Sequence, residues 1–475
     1  MALPEIHPYI GGEFISTNET YHVHCPWDNS PIAKVHLAGE KELEQAILLA
    51  QQAERPMAEL AAFEKHEILM RIAQGIKENR NSFAKTLALE ACKPIKLAYG
   101  EIDRAIQTFI IAAEEAKRPP AELIRIDWTP QGKGKEGLVK CFPVGLIAGI
   151  APFNFPLNLS VHKIAPAIAA GCPIILKPAR STPLSALKLA EIIDSTPLPK
   201  GALSILPTNR EVGSKLVTDS RFALLSFTGS PQVGWNMKNQ AGHKRVVLEL
   251  GGNAGVVVTP SANLEQAVSK CLSGAFAYAG QVCIHTQRIF VHQAVFTAFT
   301  EKFLQGTANL KNGHPLDTDT DISSMIDEEN AIRVEEWVND ATNAGAKVLL
   351  GGKRKGSFFQ PTVLTNTTNS MKVCALEVFG PVVTLEPYTD FHEAVNLINQ
   401  SEFGLQAGVF TNLIDEMNFA FNELRVGGVI INDVPTFRVD HMPYGGIKNS
   451  GFGREGVKYA MLEMLEPRLL VKNIL

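Results

Sequence analysis

Among the side chains that could do chemistry, one cysteine sits at the kind of boundary where a reactive group is displayed. In Tyr278-Ala279-Gly280-Gln281-Val282-Cys283-Ile284-His285-Thr286-Gln287-Arg288, an apolar helical run from Leu264 to Gly280 gives way to a strand-like run from Arg288 to His292. A turn of that kind presents one small side chain at the end of a cleft, here the Cys283 thiol. A lone cysteine usually packs as a small hydrophobe, so its meaning depends on the groups brought to it. Glu249, in Leu248-Glu249-Leu250-Gly251-Gly252, is a carboxylate inside an apolar strand. Burial raises such a group toward the range of a general base, the alternative being a buried ion pair. Asn154 lies in Pro152-Phe153-Asn154-Phe155-Pro156, where two prolines and two aromatics restrict the loop. A fixed amide donor suits an oxyanion, whereas a turn asparagine more often bonds its own backbone. Lys177, in Lys177-Pro178-Ala179-Arg180, closes a strand where doubly wound sheets bind ligands, and its ammonium is suited to ribose hydroxyls.

The elements that must position these residues alternate. From Gly145 onward, strands at 146–150, 173–176, 203–206 and 224–227 are separated by helices. One of these helices spans Leu157 to Ala170, and another is started by Thr182 as N-cap with Pro183 behind it. This rhythm predicts a parallel sheet covered on both faces. A second α/β round follows Gly251-Gly252, with strands at 255–259, 288–292, 348–350, 382–385 and 429–432. Its helices fall near 264–280, 295–309, 327–344, 390–400 and 414–425. Upstream, Leu43 to Gly75 and Asn81 to Glu115 carry helical periodicity, and residues 123–142 form an excursion rich in Gly and Lys. The tail from Val457 adds a helix and a short strand.

A chain of 475 residues exceeds one compact core, which implies two or three domains. A net charge of -4 without a basic stripe argues against nucleic acid or an anionic membrane as partner. No apolar run has the length of a membrane span, and the N-terminus lacks the pattern of a signal peptide. Seven scattered cysteines with no C-x-x-C pair fit neither a disulfide framework nor a zinc site; they fit a reducing cytoplasm. Two G-x-G-x-x-G matches, Gly132 to Gly137 and Gly451 to Gly456, lack the strand-then-helix setting of a dinucleotide loop. The better phosphate site is Phe227-Thr228-Gly229-Ser230-Pro231, where a buried strand ends and Ser230 opens a helix.

Taken in order, seven motifs resemble those of the aldehyde dehydrogenase superfamily. They are Pro152-Phe153-Asn154-Phe155-Pro156, Lys177-Pro178-Ala179, Phe227-Thr228-Gly229-Ser230, Leu248-Glu249-Leu250-Gly251-Gly252, Gly280-Gln281-Val282-Cys283, Glu377-Val378-Phe379-Gly380-Pro381 and Pro443-Tyr444-Gly445-Gly446. The likeness covers nearly the whole chain. It implies that Cys283 attacks an aldehyde, that Asn154 and the Cys283 N–H hold the oxyanion, and that Glu249 activates water against the thioester. NAD or NADP would bind through Lys177 and Glu377 at the riboses and Ser230 at the pyrophosphate, with Phe379 near the nicotinamide. Pro152, Phe153, Phe227 and Gly229 belong to the same cofactor motifs, and no metal is required.

The implied fold is a doubly wound parallel-sheet cofactor domain (1–122 and 144–250) with an α/β catalytic domain (251–446). A small β oligomerisation segment (123–143) joins the C-terminal segment (447–475), so that a homodimer or homotetramer follows. Arg180 stands where many NAD-using members carry a glutamate on the adenosine ribose, and arginine suits the 2′-phosphate of NADP. The run Asn432 to Gly446 resembles the branch of lactaldehyde, phosphonoacetaldehyde and non-phosphorylating glyceraldehyde-3-phosphate dehydrogenases. There Arg104, His162 and Arg438 would clamp a small anionic or hydroxylated aldehyde. The rival readings are a CoA-acylating semialdehyde dehydrogenase and a non-catalytic binding or structural relative. His285 has no role in the pattern, and Arg288 reads as structural.

Overall fold

A computed structural model describes residues 3–474. Its first large sheet has five parallel strands in the order Arg245–Glu249, Leu224–Thr228, Ile147–Ile150, Ile174–Lys177, Leu203–Ile205. These strands read as nearly continuous apolar runs because helices cover both faces. The chain builds outward from Ile147–Ile150 in one direction, then returns to build Leu224–Thr228 on its other side. That reversal opens a crevice at the carboxyl ends of the two adjoining strands. Antiparallel pieces close the edges, Tyr9–Ile10 with Glu13–Phe14 at one and Gly451–Phe452 at the other. The second glycine motif therefore begins in an edge strand, where Gly451 pairs with Glu249.

The second sheet runs Lys347–Leu350, Thr362–Thr365, Val382–Tyr388, Thr286–His292, Ala254–Val258, Gln406–Phe410, Gly428–Ile431, parallel except at its first pair. Thr362–Thr365 and Gln406–Phe410 were absent from the sequence expectation. The second of these begins with a polar residue that is nonetheless buried, because the Gln406 amide donates to the Pro435 and Phe437 carbonyls.

Three helical expectations need correction. The run from Leu43 to Gly75 is two helices, Glu40–Glu59 and Ala62–Glu78. The run from Asn81 to Glu115 breaks at Cys92, which is left-handed (φ 50°), and Pro94 begins the next turn. Thr182 does not cap the helix Leu184–Asp194. The buried carboxylate of Glu90, from the end of Arg80–Ala91, accepts the Leu184 and Ser185 N–H groups at 2.8 and 3.0 Å. A distant acid thus replaces the local cap and ties two helices together.

The excursion forms strands Ala121–Arg125 and Lys135–Pro143, the latter in antiparallel register with Leu465–Asn473 from Leu465↔Pro143 to Asn473↔Lys135. The first glycine motif starts in the turn between these two excursion strands and ends inside the second, where Gly137 pairs with Ile124. Leu123, Trp128, Leu469, Leu470 and Val471 are exposed on this small sheet. Among the described residues, no helix is long and apolar enough to cross a membrane.

Candidate active site

Cys283, Glu249 and Asn154 meet at one cavity of about 350 Å³, walled also by Phe153, Thr228, Gly229, Ser230, Arg333, Glu377 and Phe379. The turn that carries Cys283 is not a continuation of the preceding helix, which ends at Phe276. Tyr278, Ala279 and Gly280 are all left-handed (φ 52°, 52° and 67°). Such a conformation persists in non-glycine residues only where surroundings hold it. Here the Tyr278 hydroxyl donates to Ala91 O at 2.8 Å, and the Gln281 side chain accepts the Ile326 N–H at 2.9 Å. A Cβ on Gly280 would collide with the Gly380 carbonyl. The thiol sits half-buried, 3.2 Å from the Tyr444 hydroxyl. Burial pushes it up to about 12; the Tyr444 contact opposes this, while Glu377 and Glu249 add to it.

Asn154 does not bond its own backbone. Its Nδ2 donates to Gln281 O at 3.1 Å, which uses one of two amide protons and leaves the other free beside the cysteine turn. The loop is fixed from beneath by Lys93, whose Nζ donates to Asn154 O at 2.8 Å, pairs with Glu101 and lies under the Phe155 and Tyr278 rings. Glu101 in turn accepts the Leu157 and Asn158 N–H groups at the start of the helix Pro156–Ala170.

Glu249, at the end of its strand, is buried, and neither carboxylate oxygen has a partner among the described residues. The ion-pair alternative therefore fails for this residue. Burial first, then the Glu455 charge, pushes its pKa well above the usual carboxylate range against the pull of Arg438, Lys163 and Arg454. Glu455 behaves oppositely. Although burial opposes it, Lys163 and Arg438 hold it ionised and far below that range. Two neighbouring acids thus hold their protons on opposite terms, the arrangement that separates a general acid–base from a permanent charge.

On the other side of the strand ends, Lys177, Arg180, Thr208, Arg210 and the helix from Pro231 line a cavity of about 870 Å³. Lys177 is largely desolvated, which lowers its pKa, and its chain packs against Gly213. Arg180 is exposed, its guanidinium 4.8 Å from the Tyr21 ring centre. Thr208 Oγ1 is buried without a partner among the described residues. Ser230 occupies the N-cap position of its helix, yet its hydroxyl makes no capping bond. Glu377 accepts the Gly252 N–H at 3.0 Å and is pushed by burial to about 7. Phe379, left-handed at φ 48°, meets Phe153 edge-on with centroids 5.8 Å apart. Phe227 packs against Gly229, where any Cβ would strike its ring at 2.5 Å. Pro152 shares the first cavity.

Arg104, His162 and Arg438 do cluster, but not as free cations. Arg438 Nη2 donates to Glu455 Oε2 at 3.1 Å and to His162 Nδ1 at 2.8 Å, and its guanidinium lies 3.6 Å over the Tyr444 ring. His162 therefore carries its proton on Nε2, 2.9 Å from Asp440 Oδ1, which also accepts from Arg104 at 2.7 Å. Only Arg104 keeps substantial exposure, 31% of its side chain. Asp440, Glu455, Lys163, Tyr444 and Lys93 were missed as site residues. Asp440 and Tyr444 lay inside quoted motifs, and Glu455 inside the rejected glycine match, but no local signal linked them to the cysteine. His285 is structural: a ring nitrogen bonds Ala275 O at 2.8 Å and burial lowers its pKa to about 4. Arg288 donates to the Leu397 and Asn253 carbonyls, as a structural role requires.

The model of the Aldehyde dehydrogenase family matches residues 14–470. The chain belongs to that family. It is an oxidoreductase that oxidises aldehydes with NAD(P). The dehydrogenase is 43% identical over 467 residues to 3-sulfolactaldehyde dehydrogenase of Priestia aryabhattai, covering 98% of each chain. It is 39% identical over 472 residues to lactaldehyde dehydrogenase of Methanococcus aeolicus, covering 98% and 99%. Aldehyde dehydrogenase 21 from Physcomitrella patens, solved in complex with the reaction product succinate, superposes with a TM-score of 0.98 at 43% identity, covering 100% and 99%. Glyceraldehyde-3-phosphate dehydrogenase GapN from Methanocaldococcus jannaschii, solved with NADP, gives 0.91 at 38%, covering 96% and 100%.

The dehydrogenase's residues fit a dinucleotide. The uncapped Ser230 hydroxyl, the unpartnered Thr208 hydroxyl and the desolvated Lys177 ammonium are polar groups left for a ligand. Gly251 is needed for the Glu377 carboxylate to approach, since a Cβ there would collide with it.

Proposed function

We propose that the enzyme oxidises a small aldehyde bearing a negatively charged group, through a covalent adduct on Cys283. The observation that carries this reading is the meeting of Cys283, Asn154 and an unpaired, buried Glu249 in one cavity. In the first step Glu249, in its ionised form, takes the thiol proton and the sulfur attacks the aldehyde carbon. The free Nδ2 proton of Asn154 and the Cys283 N–H receive the oxygen as it becomes an anion. When bound through Lys177, Ser230 and Glu377, the nicotinamide coenzyme supplies the acceptor for the departing hydride. Glu249 releases that first proton to solvent, then takes one from water as the water attacks the thioester, and returns it to the departing Cys283 sulfur as the acid leaves. The unpaired Glu249 favours water over CoA as the acyl acceptor. Coenzyme reduction measured against a panel of short aldehydes tests the scheme; activity with none of them, from folded protein with a free thiol, would defeat it.

The anionic class is supported by the arginine cluster and by the names of similar proteins (sulfolactaldehyde, aspartate semialdehyde and glyceraldehyde 3-phosphate, with succinate as a bound product), while the lactaldehyde dehydrogenases among them support a hydroxylated aldehyde as the alternative. Arg104 is the better probe of it, because Arg438 already balances Glu455. Arg104→Ala is expected to raise KM for anionic aldehydes by a factor of about 10–100, the loss of one charge-assisted hydrogen bond, and to leave propanal nearly unchanged. Equal effects on both substrates would sink the clamp.

For the coenzyme, Arg180 at the adenosine-side cavity supports a preference for NADP. Arg180→Glu should lower the ratio of kcat/KM for NADP over NAD by a factor of about 10–100. A wild-type enzyme strongly selective for NAD would overturn the preference. The exposed apolar residues on the small sheet support assembly into a homodimer or homotetramer, and seven free cysteines support a reducing, cytoplasmic setting.

A further inference from the structure

We propose that Glu5, His7 and His36 form a binding site for a transition-metal cation of the zinc type, apart from the catalytic cavity. The three residues come together because the strand Glu5–Ile6 runs parallel to Pro31–His36, with Glu5 opposite Lys34 and Ile6 opposite Val35. This register brings His7, just past the first strand, over His36 at the end of the second; the ring centroids are 4.4 Å apart and tilted by 33°. One ligand atom from each of the three residues lies within 4.8 Å of the other two.

The second observation is His36 itself. It is 7% exposed, and its Nε2 is buried with no hydrogen-bond partner among the described residues, facing Glu5 Oε2 at 3.7 Å. Leaving a buried ring nitrogen unpaired is costly unless something else occupies it. Its other nitrogen is 2.7 Å from the Thr17 carbonyl, a contact in which Nδ1 must donate, and 3.1 Å from the Thr17 N–H. The shorter contact puts the proton on Nδ1 and a lone pair on Nε2. His7 Nδ1 lies 3.3 Å from the Ser16 hydroxyl, a contact in which either group can donate. A ring held by an oxygen at one nitrogen and open at the other is the usual support of a metal-ligating histidine.

Two imidazoles and one carboxylate suit zinc, nickel, copper or cobalt rather than magnesium or calcium. Ligands bonded at about 2.1 Å can lie at most about 4.2 Å apart. Small rotations of the less buried Glu5 and His7 therefore close the set around one ion. Lys34 Nζ occupies Glu5 Oε1 at 2.9 Å and leaves Oε2 toward the histidines. Three protein ligands leave a fourth position for water, so the ion is exchangeable. The cation would pin the N-terminal strand to the strand ending at His36. Two residues on, the Ala38 N–H donates to Pro207 O at 2.8 Å, next to Thr208 in the wall of the adenosine-side cavity.

The test uses the full-length protein stripped of metal and titrated with Co²⁺, whose visible d–d bands report imidazole and carboxylate ligation, and with Zn²⁺ followed by thermal unfolding. Wild type is expected to take up one Co²⁺ per chain at this site and to rise in Tm with Zn²⁺. His7→Gln and Glu5→Gln, both at less buried positions, should each weaken binding by roughly tenfold or more and lose the Tm response. Cys283→Ser should bind as wild type does. No stoichiometric uptake by wild type, unchanged uptake in both ligand variants, or loss in Cys283→Ser alone would each overturn the site.

Discussion

Cys283→Ala is expected to lower kcat by a factor on the order of 10⁶, the scale seen when a covalent nucleophile is deleted, while coenzyme binding and fold persist. No other thiol can substitute, because among the described residues Cys283 is the only one of the seven cysteines that lines the cavity. Cavity position alone does not make the thiol reactive. With burial pushing its pKa up to about 12, the resting thiol stays protonated at pH 7. Alkylation of Cys283 in the coenzyme-free enzyme should therefore be slow at neutral pH and keep rising through pH 9 without a plateau. A plateau below pH 8 would mean that the resting thiol is already activated. Coenzyme-dependent turnover in the alanine variant would remove Cys283 from the mechanism.

Glu249→Gln should cost a factor of about 10²–10⁴ in kcat, the contribution of a positioned general base. Its pH profile discriminates more sharply than the loss itself. Because the folded-state pKa is raised well above the ordinary glutamate value of about 4.5, the carboxyl of the resting enzyme retains its proton where a free glutamate has lost it. Wild-type kcat should climb with pH as Glu249 ionises, and the residual activity of the glutamine variant should lack that limb. Stability follows the reverse course. The native state holds a proton that the unfolded chain releases above about pH 4.5, so this residue costs stability increasingly as pH rises from there to its folded pKa. Glu249→Gln should accordingly raise Tm at neutral and alkaline pH and converge on wild type below pH 4. A variant less stable than wild type at pH 8 would contradict the unpaired, buried carboxyl.

The sequence by itself determined where the reacting groups end up. In a doubly wound sheet every parallel strand delivers its carboxyl end to one edge, so Asn154, Lys177, Ser230 and Glu249 could be assigned to one crevice from strand order alone. The strand-ending motifs also carried the family. What only the tertiary structure decided was how those groups are held and charged. Arg438 read as a free cation until Glu455 and His162, the latter 276 residues away in sequence, were found against it. Glu249 differs from Glu455 because Lys163 and Arg438 pair with one acid and not with the other. The helix was expected to reach Gly280, since its apolar spacing continues that far. It stops at Phe276 because Tyr278 reaches Ala91, 187 residues earlier, and holds a left-handed turn that periodicity cannot register. Hydrophobic spacing reports which face of an element is buried. Ion pairing, cap exchange and backbone strain depend on which distant side chain fills the space beside it, and that is settled only when the elements pack.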